Sequence, residues 1–209
     1  MLRIGLTGGI ACGKSTVAEM LVERGAHFLP ADSLAHKLYL PGTPTYAEIV
    51  RHFGETVLNN DRTINRRSLA NLAFPDRIGE LNAIVHPAVV EAQNRWMNRV
   101  EAEDPNGIAV VEAALLIEAG VAGDFDKIIV VVCGQQDKIA RFATRMGIAL
   151  DTAKAEVTRR SAAQLSDEEK ARRADYVIEN SGPRENTERQ VEKIWEQLQS
   201  LARASSGSQ

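Results

Sequence analysis

The stretch Gly8-Gly9-Ile10-Ala11-Cys12-Gly13-Lys14-Ser15-Thr16 restricts this chain more than any other. It fits G-x-x-x-x-G-K-[ST], with the apolar run Leu2–Leu6 before it and helical periodicity after it. Glycines let the backbone fold around an oligophosphate with its N–H groups turned inward, and the start of the next helix adds partial positive charge. Gly8, Gly9, Ala11, Cys12 and Gly13 are therefore expected to cradle a nucleotide's phosphates. Lys14 would reach the β- and γ-phosphates, Ser15 would take one site on Mg2+, and Thr16 would lie near the α-phosphate. A glycine turn beside a solvated lysine is the plain alternative, which the strand–loop–helix context disfavours.

Short apolar runs alternate with helical periodicity along the chain, the pattern of a parallel sheet covered by helices. Strands are expected at Leu2–Leu6, His27–Leu29, Ile108–Val111, Ile128–Val132 and Tyr176–Ile178. The first helix should run from Lys14 to Arg24 with Gly25 as its stop, and the last should bury Val191, Ile194, Trp195, Leu198 and Leu201. The expected fold is α/β in three layers: a five-stranded parallel sheet with helices on both faces. Its core comprises residues 1–58, 105–134 and 174–201. The stretch of about 59–104 exceeds what one crossover needs and reads as a helical, acceptor-binding insertion (Ile64–Ala73, Ile78–Val85, Ala88–Val100). Residues 135–173 read as a basic helical lid, and 202–209 as a disordered tail.

At 209 residues the chain is one domain with insertions. A net charge of −3 argues against a nucleic-acid coat but leaves room for a local basic pocket. The longest aliphatic run, Ile128 to Cys133, falls far short of the ~20 residues of a membrane span. No signal-peptide-like segment opens the sequence, and two cysteines are too few for a disulfide scaffold. A cytoplasmic protein without membrane or nucleic-acid partners is expected. Cys12, beside Lys14 at a helix start, is expected to have a lowered thiol pKa and to make the protein sensitive to oxidants; Cys133 reads as packing.

A guanine-reading N/T-K-x-D segment is missing, and Ile108-Ala-Val-Val-Glu112 ends in Glu where motor ATPases use Asp. A small kinase for a metabolite fits the length and the two helical interruptions better. Asp32, just past the second strand, could accept a proton from an acceptor hydroxyl if that strand neighbours the loop strand; Asp before Ser-Leu-Ala also reads as a helix cap. A kinase of another nucleoside or small metabolite, or a nucleotide-dependent switch, remains open at this point.

Ordered motifs then resemble the dephospho-CoA kinase family over nearly the whole chain. They are Ile4 to Thr16, Pro30-Ala31-Asp32, Pro41-Gly42, Leu81 to Pro87 with His86, and Ala114-Leu115-Leu116-Ile117-Glu118. Arg141 with Arg145, Arg160 with Gln164, and Ala174 to Gly182 complete the series. The resemblance implies phosphorylation of the ribose 3′-hydroxyl of dephospho-CoA by ATP and Mg2+, with Asp32 as base and Lys14 and Arg141 on the transferring group. It implies Arg145 and Asn180 on ATP, Asn180 near the adenine. It also implies His36, Arg67, His86, Leu115 and Arg160 on the acceptor. Pro30 stands where the family has Asp, His36 where Arg is frequent, and Ala114 where Pro is usual.

On their own spacing, Lys138, Arg141 and Arg145 share a helix face, in a window whose six basic and three acidic residues (137–160) stand against the chain's acidic total. A closing arginine stabilises spreading phosphoryl charge, while a solvated helix face is the alternative. His86 could simply satisfy backbone at a helix junction, Arg67 and its neighbour Arg66 could be exposed helix arginines, and Asn180 could be a turn former. Glu112 and Glu118 compete for a place near the Mg2+.

Overall fold

A computed structural model describes residues 1–206. Its regular elements are β1 (Leu2–Gly8), α1 (Lys14–Glu23), β2 (His27–Pro30), α2 (Ala31–Leu38), α3 (Pro44–Phe53), α4 (Arg66–Ala73) and α5 (Ile78–Glu103). They continue with β3 (Ile108–Glu112), β4 (Lys127–Val132), α6 (Gln135–Met146), α7 (Leu150–Ser161), α8 (Asp167–Ala171), β5 (Tyr176–Glu179) and α9 (Arg184–Ser206). The five strands form one sheet in the order β2-β3-β1-β4-β5, and β1 pairs in parallel with β3 (Leu2 opposite Ile108) and β4 (Ile4 opposite Lys127). The condition attached to Asp32, that the second strand neighbours the loop strand, is not met: β3 lies between β2 and β1. Local hydrophobicity marks a strand as buried but leaves its neighbours to long-range pairing.

Two compact units divide the chain, one of Met1–Leu29 with the chain from Val100 onward, the other Pro30–Arg99. In the first, Ile4, Leu6, Val110, Ile129, Val131 and Ile178 turn one sheet face onto Val17, Met20 and Leu21 of α1 and Val191, Ile194 and Leu198 of α9. The opposite face, with Ile128 and Val130, is covered by Leu116, Ile117, Phe125 and Leu165. A parallel sheet needs both faces shielded, and these near-continuous aliphatic strands supply the surface for it. Helix α9 runs on to Ser206, so residues 202–206 of the expected tail are helical, and Ala202 is buried in the core; 207–209 lie outside the described residues. Burial of that one alanine extends the helix past the point where its sequence turns polar.

The second unit begins at Pro30, well before the expected start near Asn59. Its own core explains why: Ile49 and Phe53 of α3 pack with Val57, Ile64, and Leu69 and Ala73 of α4. Local caps start its helices, Thr43 Oγ1 accepting from Tyr46 N at 3.1 Å and Asn65 Oδ1 from Ser68 N at 3.0 Å. Two helices were expected to meet at Pro87, but α5 carries Pro87 inside one continuous helix. Proline removes one backbone bond and crowds the preceding turn, about 3 kcal/mol, and the long helical flanks hold through it.

Candidate functional site

The loop between β1 and α1 is shaped by close packing on both sides. At Gly8 (φ +151°) a Cβ would stand 2.2 Å from the carbonyl oxygen of Val131, so only hydrogen fits between the loop and β4. Gly13, at φ 91° and ψ 30°, precedes α1 in the left-handed region, where a Cβ would meet Asn180 Nδ2 at 2.0 Å. Ala11 is also left-handed (φ 54°), strain of about 1–2 kcal/mol that its surroundings must hold. Ile10 and Ala11 pack against Phe142, Ala143, Ala153 and Val157, so the α6–α7 pair is seated on the loop by apolar contact.

Polar contacts complete the brace. The Cys12 carbonyl accepts from Asn180 Nδ2 at 2.8 Å and from Arg141 Nη1 at 3.3 Å, while Arg141 Nη2 donates to the Asn180 carbonyl at 2.7 Å. Thr187 Oγ1 donates to Asn180 Oδ1 at 2.7 Å, and both residues are buried. Lys14 Nζ donates to the carbonyls of Gly8 and Gly9 at 3.2 Å each, which places its charge at the β1 end of the loop. The first turn of α1 holds no acidic residue, so its partial positive charge is not offset there. Next to Gly9, Lys138 Nζ and Asp167 Oδ2 form an ion pair at 2.5 Å, nearly buried at the lysine.

These contacts refine several expectations. Asn180 spends both ends of its amide on the protein, bracing the loop from behind. Arg141 reaches the loop at the Cys12 carbonyl, whereas Lys138 is buried against Asp167 and Arg145 is exposed over the Phe142 ring at 5.4 Å. Arg160 also lies 5.4 Å over that ring and donates to Glu156 Oε2 at 3.0 Å. Leu115 is exposed in the turn after β3, whereas Leu116 is buried.

Cys12 is corrected. Its side chain is fully buried, Sγ donates to the Gly9 carbonyl at 2.9 Å, and burial raises the thiol pKa despite the Lys14 charge. Proximity to a cation favours the thiolate, but desolvation wins when no water reaches the sulfur. Cys133 is buried as packing requires, its thiol pushed up to about 11 chiefly by burial.

In the second unit Asp32 lies in the first turn of α2, whose cap position is Pro30 rather than Asp32. Its carboxylate is exposed and suits the helix N-terminus. His36 Nε2 contacts Arg66 Nη1, and Arg66 lies 5.9 Å over the Tyr39 ring, so α2 and α4 meet through Arg66 while Arg67 is exposed. His86 is exposed within α5 and marks no junction.

Glu112 and Glu118 are now separable. Glu118 Oε1 accepts from Lys170 Nζ at 3.0 Å and from Leu165 N at 3.1 Å, in a knot where fully buried Lys170 also reaches the Ala114 carbonyl at 3.3 Å. Its other oxygen, Oε2, is buried without a hydrogen-bond partner. Glu112 ends β3 opposite Leu6 of the loop strand and is half-buried. Among the described residues no three His, Cys, Asp or Glu side chains cluster as a metal cage. The Ser15 hydroxyl is a hard oxygen donor at the helix start, which fits a Mg2+ that takes its remaining ligands from phosphates and water. Sequence reasoning missed Asp167, Thr187 and Lys170. Asp167 and Lys170 act through partners far away in sequence, Lys138 and Glu118, and Thr187 through Asn180 seven positions before it; only the basic spacing at Lys138 hinted at one of them.

Comparison with known proteins supplies a family. A model described as dephospho-CoA kinase matches residues 2–186. Relatives named dephospho-CoA kinase include one from Syntrophus aciditrophicus, 44% identical over 200 residues (95% of this chain, 83% of that protein). Another, from Aquifex aeolicus, is 40% identical over 200 residues (95% and 98%). Among solved structures, one from Thermus thermophilus superposes with a TM-score of 0.80 at 34% identity, covering 94% of this chain and 97% of that one. A dephospho-CoA kinase from Campylobacter jejuni gives 0.68 at 25% identity, covering 95% and 97%.

Proposed function

The chain belongs to the dephospho-CoA kinase family, and from that premise we propose that it transfers the γ-phosphoryl group of ATP to the ribose 3′-hydroxyl of dephospho-CoA. One observation carries the reading at the level of geometry: the braced loop after β1, with Lys14 folded onto Gly8 and Gly9 and Arg141 against Cys12. An N–H nest at a helix start, flanked by two cations, binds an oligophosphate and lowers the energy of charge building on the transferring group.

In this mechanism the acceptor oxygen attacks the γ-phosphorus, the bond to the β-phosphate oxygen breaks, and that oxygen keeps the electron pair and leaves with ADP. Asp32 takes the hydroxyl proton. Lys14 and Arg141 balance charge on the γ-oxygens, and Arg145 adds charge from the lid. Thr16 would lie on the α-phosphate, with His36, Arg67, His86, Leu115 and Arg160 on the acceptor. Ser15 would hold Mg2+, with Glu112 at the end of β3 a candidate to support it, and the bound ion would screen the phosphate charge.

Small-molecule partners and a cytoplasmic setting belong to the same proposal. Among the described residues no helix is long and apolar enough to cross a membrane. Formation of ADP, followed by a coupled assay over a panel of acceptors, tests the reaction. Turnover that requires dephospho-CoA supports it; equal turnover with other nucleosides, or slow ADP release with no acceptor at all, refutes it.

A further inference from the structure

The Lys138–Asp167 pair lies against the phosphate loop, and the mechanism above does not use it. A Cβ built on Gly9 would stand 2.7 Å from Asp167 Oδ1 and 3.0 Å from Lys138 Nζ, so both charges press on the same stretch of loop backbone. Only 8% of the Lys138 side chain and 20% of the Asp167 side chain are exposed. Lys138 is held on α6 one turn before Arg141, and Asp167 opens α8, whose start is fixed by a full capping box on Ser166. A cavity of about 540 Å³ adjoins them, lined by Gly9, Gly134, Lys138, Gln164 and Asp167 among others.

Lys14 Nζ marks which end of the loop this is. Its bonds to the Gly8 and Gly9 carbonyls put the lysine that serves β- and γ-phosphates at the same glycine that Lys138 and Asp167 touch. A γ-phosphate there would lie within charge–charge range of both members of the pair, attracted by one and repelled by the other.

We propose that Lys138 is a second lysine for the terminal phosphate of the nucleotide, and that Asp167 is a positioning residue that holds its ammonium over Gly9 and limits its charge. The proposal rests on the ATP-binding reading of the loop. It assigns the pair a task that a structural ion pair lacks, namely setting how strongly the protein prefers a triphosphate to a diphosphate. Asp167 opposes the γ-phosphate and Lys138 favours it, so the two side chains act with opposite sign. Replacing either partner of a merely structural pair would loosen the lid and shift both nucleotides in the same direction.

The test measures ATP and ADP dissociation constants by titration without acceptor, on the full chain, for wild type, Lys138→Met, Lys138→Arg and Asp167→Asn. Loss of a charged hydrogen bond to phosphate corresponds to roughly 10–100-fold. Lys138→Met should therefore weaken ATP by that factor and ADP much less, Lys138→Arg should recover most of the loss, and Asp167→Asn should tighten ATP severalfold. If Lys138→Met does not fold, the sign of the Asp167→Asn effect decides alone. Weaker ATP binding in Asp167→Asn, or equal changes for ATP and ADP, overturns the proposal. Because no acceptor is present, a wild type that binds ATP yet fails to phosphorylate dephospho-CoA would sink the reaction proposed above without touching this result.

Discussion

Replacing Thr187 by Val tests whether the loop is held from behind. Thr187 is 1% exposed and its hydroxyl is donated to Asn180 Oδ1 at 2.7 Å. Valine keeps the shape and opens no cavity, so the change isolates one hydrogen bond. It leaves the Asn180 oxygen buried without a donor, which costs about 1–3 kcal/mol. For a chain of this size that lowers the melting temperature by roughly 2–12 °C. The functional consequence follows from the other end of the amide, where Asn180 Nδ2 and Arg141 share the Cys12 carbonyl just before Gly13. With Asn180 free to turn, the left-handed Gly13 corner loses a support. ATP's KM should rise by about tenfold, equivalent to ~1.4 kcal/mol. Thermal melts and steady-state kinetics read both effects, and Thr187→Ser should restore them because it retains the donor. Should Thr187→Val melt with the wild type and keep its ATP KM, or should Thr187→Ser be equally impaired, the brace would be no more than a packing contact.

Four further outcomes are expected. Asp32→Asn should lower kcat by roughly 10²–10⁴ with the ATP Kd nearly unchanged; a collapse of ATP binding instead would make Asp32 a structural or metal residue. Lys170→Met strands the Glu118 carboxylate in the interior and should cost about 3–5 kcal/mol, whereas Lys170→Met with Glu118→Leu should recover much of it, as denaturant titration would show. The native protein should leave both thiols unlabelled by a small thiol reagent at pH 8 and expose two in denaturant; rapid native labelling at Cys12 would contradict its burial. For Asp175, burial raises the carboxyl pKa, but hydrogen bonds from Lys127 Nζ and the Ile128 N–H outweigh it and leave the value lowered. Its contribution is therefore complete above about pH 4 and disappears as pH falls through the lower folded value, so Asp175→Asn should flatten the acid limb of a melting profile taken from pH 5 to 2.

Much of the phosphate site was legible before any coordinates, because its chemistry is local. Gly8 and Gly13 are required by backbone dihedrals and close approach within a few residues, and Lys14 and Ser15 follow the turn that those glycines allow. The strands were legible for the same reason: five aliphatic residues in a row from Ile128 mark a strand that is mostly interior. Boundaries that depend on burial were not legible. The helix through Pro87 rests on its long flanks, the continuation beyond Ala202 on a place in the distant sheet core, and the second unit on a core of its own between Ile49 and Ala73.

What the sequence by itself determined is therefore the presence of a nucleotide-phosphate loop on a parallel α/β sheet, since both arise from short-range sterics and periodicity. Tertiary structure alone decided the strand order, the burial of the Cys12 thiol, the separation of Glu118 from Glu112, and the meeting of Lys138 with Asp167 over Gly9. Charge interactions and desolvation depend on distance in space. Residues 29 positions apart can touch or never meet with equal ease until the fold brings them together.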